Sequence, residues 1–185
     1  TDFEEGKVND FEFEKKVNEI FKDKAVGKED AEKLYEDDTW LMVIPKTYAA
    51  SCKYGEGTKW CTTSSKSMFD NYSNKSPLII IINKKTNKKY QVHAKTKSFM
   101  DETDKEPENI AKVIISFPSK IQELLKQYKF NIWNKVLINA SKSGDLRQVK
   151  QALDNGADVH ADNDYALRCA AYIGHVGVVK LLIDN

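Results

Sequence analysis

The chain of 185 residues has little that would tie it to a membrane or to an oxidised scaffold. No apolar run exceeds five residues, as in 78–82, whereas a membrane helix needs roughly 20. No charged-then-apolar leader opens the sequence. The three cysteines (Cys52, Cys61, Cys169) are odd in number and far apart, which fits reduced thiols in a cytoplasmic protein better than a disulfide framework. No close ligand pair of the Cys-x-x-Cys kind exists, so Cys52, Cys61 and His93 make a poor metal set; neither a metal nor a cofactor is expected. Net charge is nearly absent too, at +1. That balance hides a segregation: residues 46–97 carry eleven lysines against two acids (Glu56, Asp70), net +9, while residues 1–45 carry seven lysines against fourteen acids, net −7.

At the centre of the basic segment stands Gly55-Glu56-Gly57-Thr58-Lys59-Trp60-Cys61-Thr62-Thr63, followed by Ser64 and Ser65. Two glycines and a run of hydroxyls read as a shaped loop rather than a core element, with a large ring and a thiol in its middle. It is not a P-loop, because the glycine spacing and a directly preceding strand are missing.

Periodicity orders the elements around this loop. Phe13, Val17, Ile20 and Phe21 predict an amphipathic helix capped by Asn9 or Asp10, and a second short helix is predicted over 28–35 after Gly27. Residues 40–44 read as a buried strand stopped by Pro45, Thr47 as the cap of a helix ended by Gly55, and Ser65 as the cap of a helix carrying Met68, Phe69 and Tyr72. Residues 78–82 and 90–94 form a hairpin about a polar turn, 98–100 add a strand, and helices follow near 108–116 and 118–128. The order predicts an α+β domain over 1–130, one small antiparallel sheet with flanking helices, followed by an all-α segment over 131–185.

That last segment repeats itself. Residues 139–145 align with 169–175, and 149–155 with 179–185, thirty positions on. Asn155-Gly156-Ala157-Asp158-Val159-His160-Ala161, and Ala170-Ala171-Tyr172-Ile173-Gly174-His175 followed by 176–182, resemble ankyrin repeats, with Asp164 to Arg168 where the family's Thr-Pro-Leu-His turn would stand. The resemblance implies two antiparallel helix pairs, with Leu137, Ala140, Val149, Leu153, Ala170, Val179 and Leu182 packed between repeats, and a protein partner. His160 and His175 fall at structural positions of the pattern. Shortened repeats of this kind resemble those of giant viruses and large phages. The chain starts without Met and ends where another repeat would follow, so it is expected to be part of a longer protein. The string 54–62, followed by Phe69, Tyr72, a hairpin and Phe99-Met100-Asp101, is similar to an uncharacterised domain of phage and viral proteins. Together these resemblances imply an accessory protein in a host cytoplasm, one that sequesters a host defence signal.

Two chemistries are open at the loop. Thr58, Lys59, Trp60, Thr62, Thr63, Ser64, Ser65, Lys66, Tyr72 and Lys89, with Lys84, Lys88 and Lys95 and the aromatics Tyr54, Phe69 and Tyr90, suit a phosphate-bearing ligand: a nucleotide or a nucleic acid. The alternative is a hydrolase or transferase with a Cys61, His93, Asp101 triad, whose order is similar to transglutaminase-like and papain-like enzymes. Against it, Cys61 is followed by Thr-Thr-Ser-Ser without an evident helix, and His93 lies only eight residues before Asp101. The binding reading is favoured, and the third reading is a module that binds protein alone.

Overall fold

A computed structural model describes residues 30–185; the helix expected over 10–21 lies outside the described residues. The chain divides between Glu106 and Pro107 into two units.

In the first unit five strands, β1 (Ala31–Glu36), β2 (Trp40–Pro45), β3 (Leu78–Asn83), β4 (Lys89–His93) and β5 (Ser98–Asp101), form one antiparallel sheet in sequence order. The helix expected over 28–35 is therefore corrected: 31–36 is the edge strand β1, pairing Glu32 with Ile44 and Glu36 with Leu41. Local sequence there is acidic and helix-compatible, but the apolar β2 needs a partner for its backbone groups, and that need overrides propensity. Asp37 fixes the turn between them, accepting from the backbone N–H of Thr39 and Trp40 at 2.7 and 2.6 Å.

Between β2 and β3 the chain forms a helical layer, α1 (Tyr48–Tyr54), α2 (Cys61–Ser64) and α3 (Lys66–Ser73). The expected caps are in place: Thr47 accepts from the N–H of Ala50 and Ser65 from that of Met68. The single turn α2 corrects the reading of 61–64 as non-helical. Residues paired across strands share a face, so the register Leu41↔Ile82↔Lys89 and Val43↔Ile80↔Gln91 defines the face turned to this layer. On it Val43, Ile80 and Ile82 form a core with Trp60. The other face, with Met42, Ile79, Ile81, Val92 and Phe99, is fully buried as well.

The second unit is all helical: α4 (Ile110–Ser116), α5 (Ser119–Gln127), α6 (Ile132–Ser143), α7 (Leu146–Asp154), α8 (Ala161–Ile173) and α9 (Val176–Ile183). Helices α4 and α5 join this unit and not the sheet. Gln122 ties them to α6, donating to the carbonyls of Ile114 and Phe117 and accepting from the Trp133 indole at 3.1 Å. Of the residues expected between repeats, Leu137, Ala140, Val149, Ala170 and Leu182 are buried, and Leu153 and Val179 are half-buried. Gly144 and Gly174 end α6 and α8 in the left-handed conformation, at φ of 75° and 89°. Asp162, Asn163 and Asp164 also hold positive φ, so the right-handed part of α8 starts only at Tyr165.

Candidate functional site

The hydroxyl run of residues 58–65 is used up inside the first unit. Thr58 Oγ1 donates to the carbonyl of Gly55 at 2.7 Å, and Thr63 and Ser64 both donate to that of Trp60, at 2.8 and 3.1 Å. Thr62 is buried and exchanges hydrogen bonds with the Gln91 amide, and Ser65 caps α3. Such bonds to nearby backbone are what short hydroxyl side chains make in tight turns.

Trp60 is a core residue, with no ring face left for a base to stack on. Its side chain is 0% exposed, and its indole N–H donates to the carbonyl of Asp101 at 2.5 Å. Gly55 is needed for space rather than for backbone angle: at φ of −92° a Cβ there would meet the Thr63 side chain, the Ser51 carbonyl at 2.9 Å and the Trp60 ring at 3.2 Å. Gly57, at φ of 79°, uses the freedom that only glycine has cheaply.

Strand β4 supplies the counterpart of this loop. Lys89, Gln91 and His93 alternate onto the layer-facing side, where their polarity predicts solvent, yet all three are buried. Each pins a different element. Lys89 Nζ donates to the carbonyl of Glu56 at 2.6 Å, Gln91 holds Thr62 in α2, and His93 Nε2 donates to the carbonyl of Tyr72 in α3 at 3.1 Å. Burial pulls the Lys89 ammonium below its ordinary pKa, with Glu56 opposing.

The Cys61, His93, Asp101 triad is not assembled by these bonds. A carbonyl can only accept, so His93 carries its proton on Nε2 toward Tyr72, and its Nδ1 faces the Thr96 hydroxyl at 2.8 Å. Burial lowers the His93 pKa; the bonds to the backbone of Tyr72 and Ser76 oppose it, and the Lys75 and Lys95 charges act with it. The Asp101 carboxylate accepts from Thr103 and Lys105; burial opposes its ionisation, but these bonds hold it below its ordinary pKa. In the ladder His93 pairs with Ser98 and Asp101 with Tyr90, three positions apart on β4. Burial, then the nearby Asp104 charge, raise the Cys61 pKa, the opposite of what a thiolate nucleophile requires. Cys52 Sγ contacts the carbonyl of Thr63. Among the described residues no three His, Cys, Asp or Glu side chains form a metal cluster.

What remains outside are charges. Lys59, Lys66, Lys84, Lys88 and Lys95 are exposed. Lys66 pairs with Asp70 at 2.6 Å and Lys84 with Glu36 at 3.3 Å. Among the aromatics, Phe69 and Tyr90 are buried; Tyr54 packs on the Trp60 core, and Tyr72 stands edge-on to His93 at 5.1 Å.

The repeats present a different surface. His175 Nε2 donates to the carbonyl of Lys142 at 3.0 Å, and its ring closes over Gly144, where a Cβ would meet Nδ1 at 2.7 Å. His160 bonds Asp164 at 2.7 Å. Tyr165 lies under Lys142 and Arg168, 5.2 and 5.5 Å from its ring centre, and Tyr172 is 93% exposed. Residues 137–183 match the family model for ankyrin repeats (many copies). No curated protein and no solved structure matches the chain. Ankyrin repeats suggest a protein-interaction module over 137–183, and among the described residues no helix is long and apolar enough to cross a membrane.

Sequence reasoning about sites passed over Lys142, Tyr165, Arg168 and Tyr172. The available signal was two tyrosines, at 165 and 172, with an arginine between them at 168, where helix periodicity puts all three on one face.

Proposed function

We propose that this protein is a non-catalytic binding protein whose ankyrin segment holds a protein partner. The observation that carries the reading is the pair of stacked helix–turn–helix units at 132–183 with large side chains left outside, Tyr172 at 93% exposure above all. An exposed aromatic of this size beside basic groups is typical of a contact surface. A photo-crosslinking amino acid at position 172 is expected to give a discrete adduct with a partner protein in cells, while the same residue at Lys85 on the β3–β4 turn gives none. Equal labelling at both positions would contradict the reading.

A second, finer reading concerns the first unit. A phosphate-bearing ligand, a nucleotide or a nucleic acid segment, would bind there through the exposed Lys59, Lys88 and Lys95, and the protein would serve a phage or virus by holding a host signal. The net charge of +9 over 46–97 favours it. The ligand would rest on lysine charge alone, because the loop hydroxyls and Trp60 are engaged internally. Calorimetric titration against mono-, di- and cyclic nucleotides tests it: salt-sensitive binding lost in Lys59→Ala supports the reading, and absence of binding removes it.

A further inference from the structure

We infer that the ankyrin segment takes an acidic peptide, across a surface in which Lys142 joins a cleft to the exposed face of α8. The inference deepens the protein-binding reading above and rests on it. The cleft has a volume of about 360 Å³ and lies between α4 and α6, lined among others by Asn109, Asn139, Lys142, Ser143 and Gln148, with Glu108 its one carboxylate. Lys142 also reaches α8, with its ammonium over the Tyr165 ring at 5.2 Å. From there the surface continues along α8 through Tyr165, Arg168 and Tyr172, at i, i+3 and i+7 on one helix face.

The chemistry of this strip selects carboxylates. Among the described residues neither Lys142 nor Arg168 pairs with an acid; Arg168 spends one nitrogen on the carbonyl of Asp162 at 3.1 Å and keeps its other donors. Asp164, an acid of the same turn, is held by His160. Two cations fixed over one tyrosine are pre-positioned, so a carboxylate meets them with little side-chain ordering cost. Nucleic acid fits less well. Both cations sit over the Tyr165 ring, which leaves Tyr172 as the one open aromatic, and stacking proteins present successive faces to successive bases. In the cleft Asn109 accepts from the Lys112 N–H through Oδ1 and Gln148 donates to Asp145 through Nε2, which leaves Asn109 Nδ2 and Gln148 Oε1 for the backbone of an extended chain, and Tyr172 suits an apolar side chain within it.

The test is fluorescence anisotropy on the full chain with three labelled probes: a peptide of Glu, Leu and Gly, the same peptide with Lys at every Glu position, and a single-stranded oligonucleotide. The acidic peptide is expected to bind and to weaken with salt. The double substitution Lys142→Glu with Arg168→Glu should weaken it by roughly tenfold or more, as losing charge-assisted bonds does. Tyr172→Ala should weaken it several-fold, with helical circular dichroism unchanged in both variants. Binding of the Lys peptide alone would overturn the acidic partner while leaving a protein-binding role intact. Preference for the oligonucleotide would overturn both. Failure of every probe, or an acidic peptide indifferent to the double substitution, overturns the inference.

Discussion

In the sheet unit Lys89, Gln91 and His93 are drawn inward to hold a loop and two helical turns, whereas in the repeats Lys142, Tyr165, Arg168 and Tyr172 stay at the surface with donors and ring area to spare. Both regions concentrate the residue types that suggest a binding site. The difference is who their partners are. Residues 55–65 satisfy their polar groups from β4, β5 and their own backbone, so their unusual composition is explained by the fold; the strip on α8 has no such explanation.

The comparison breaks first at Trp60. If the ring is core, Trp60→Ala removes a fully buried side chain together with its bond to Asp101, and should cost the first unit about 3–5 kcal/mol in chemical denaturation. A loss below about 1 kcal/mol would show the loop to be loosely attached.

Gly144 and Gly174 sharpen it within the repeats, since they hold the same position thirty residues apart. Both have positive φ, so alanine costs each about 1 kcal/mol or somewhat more. Gly144 is also covered by the His175 ring, whereas a Cβ on Gly174 meets nothing within 4 Å. Gly144→Ala should therefore be the worse of the two by a further 1–3 kcal/mol, the usual cost of overpacking. Equal thermal shifts would mean that the second repeat does not seat on the first.

The buried pair Thr62 and Gln91 gives a smaller effect. Either Thr62→Val or Gln91→Leu strands a buried polar partner, at about 1–3 kcal/mol, and the double variant should lose less than the sum of the two. Additive losses would show that the two side chains act independently.

The smallest effect is a difference in pH dependence. His93 has a folded pKa below its ordinary 6.5, so the unfolded chain binds the proton more readily. The first unit's stability is then full above about 6.5 and declines as pH falls toward the folded value. His160 runs the other way: the Asp164 bond raises its pKa, so its contribution is present below 6.5 and is lost as pH rises through the folded value. His93→Gln should flatten the acid-side decline of the first unit; an unchanged slope would place that decline elsewhere.

Much of the architecture was legible because the signals were local. The caps Thr47 and Ser65, the strand at 78–82 and the thirty-residue repeat each depend on neighbours in sequence. Strand β1 was not, since its strand state comes from pairing with β2 across a turn. The loop's internal bonds were hidden for the same reason. Nothing in residues 55–65 shows that Gln91 and Glu102 wait to receive Thr62 and the Lys59 N–H, so hydroxyls destined for the fold looked free. Lys89 and His93 stood out as ligand and triad candidates, because alternation reveals which residues share a face but not what lies over it.

Amide hydrogen exchange over residues 55–65, with and without added nucleotides, tests the central claim most directly. The N–H of Lys59 bonds the carbonyl of Glu102, that of Gly55 the carbonyl of Ser51 in α1, and those of Thr58 and Thr63 bond within the loop, so these amides should be protected without any ligand, close to the level of β3, and should not change when nucleotides are added. Fast exchange that slows on nucleotide addition would contradict the account, and would return the loop to the role of a ligand site.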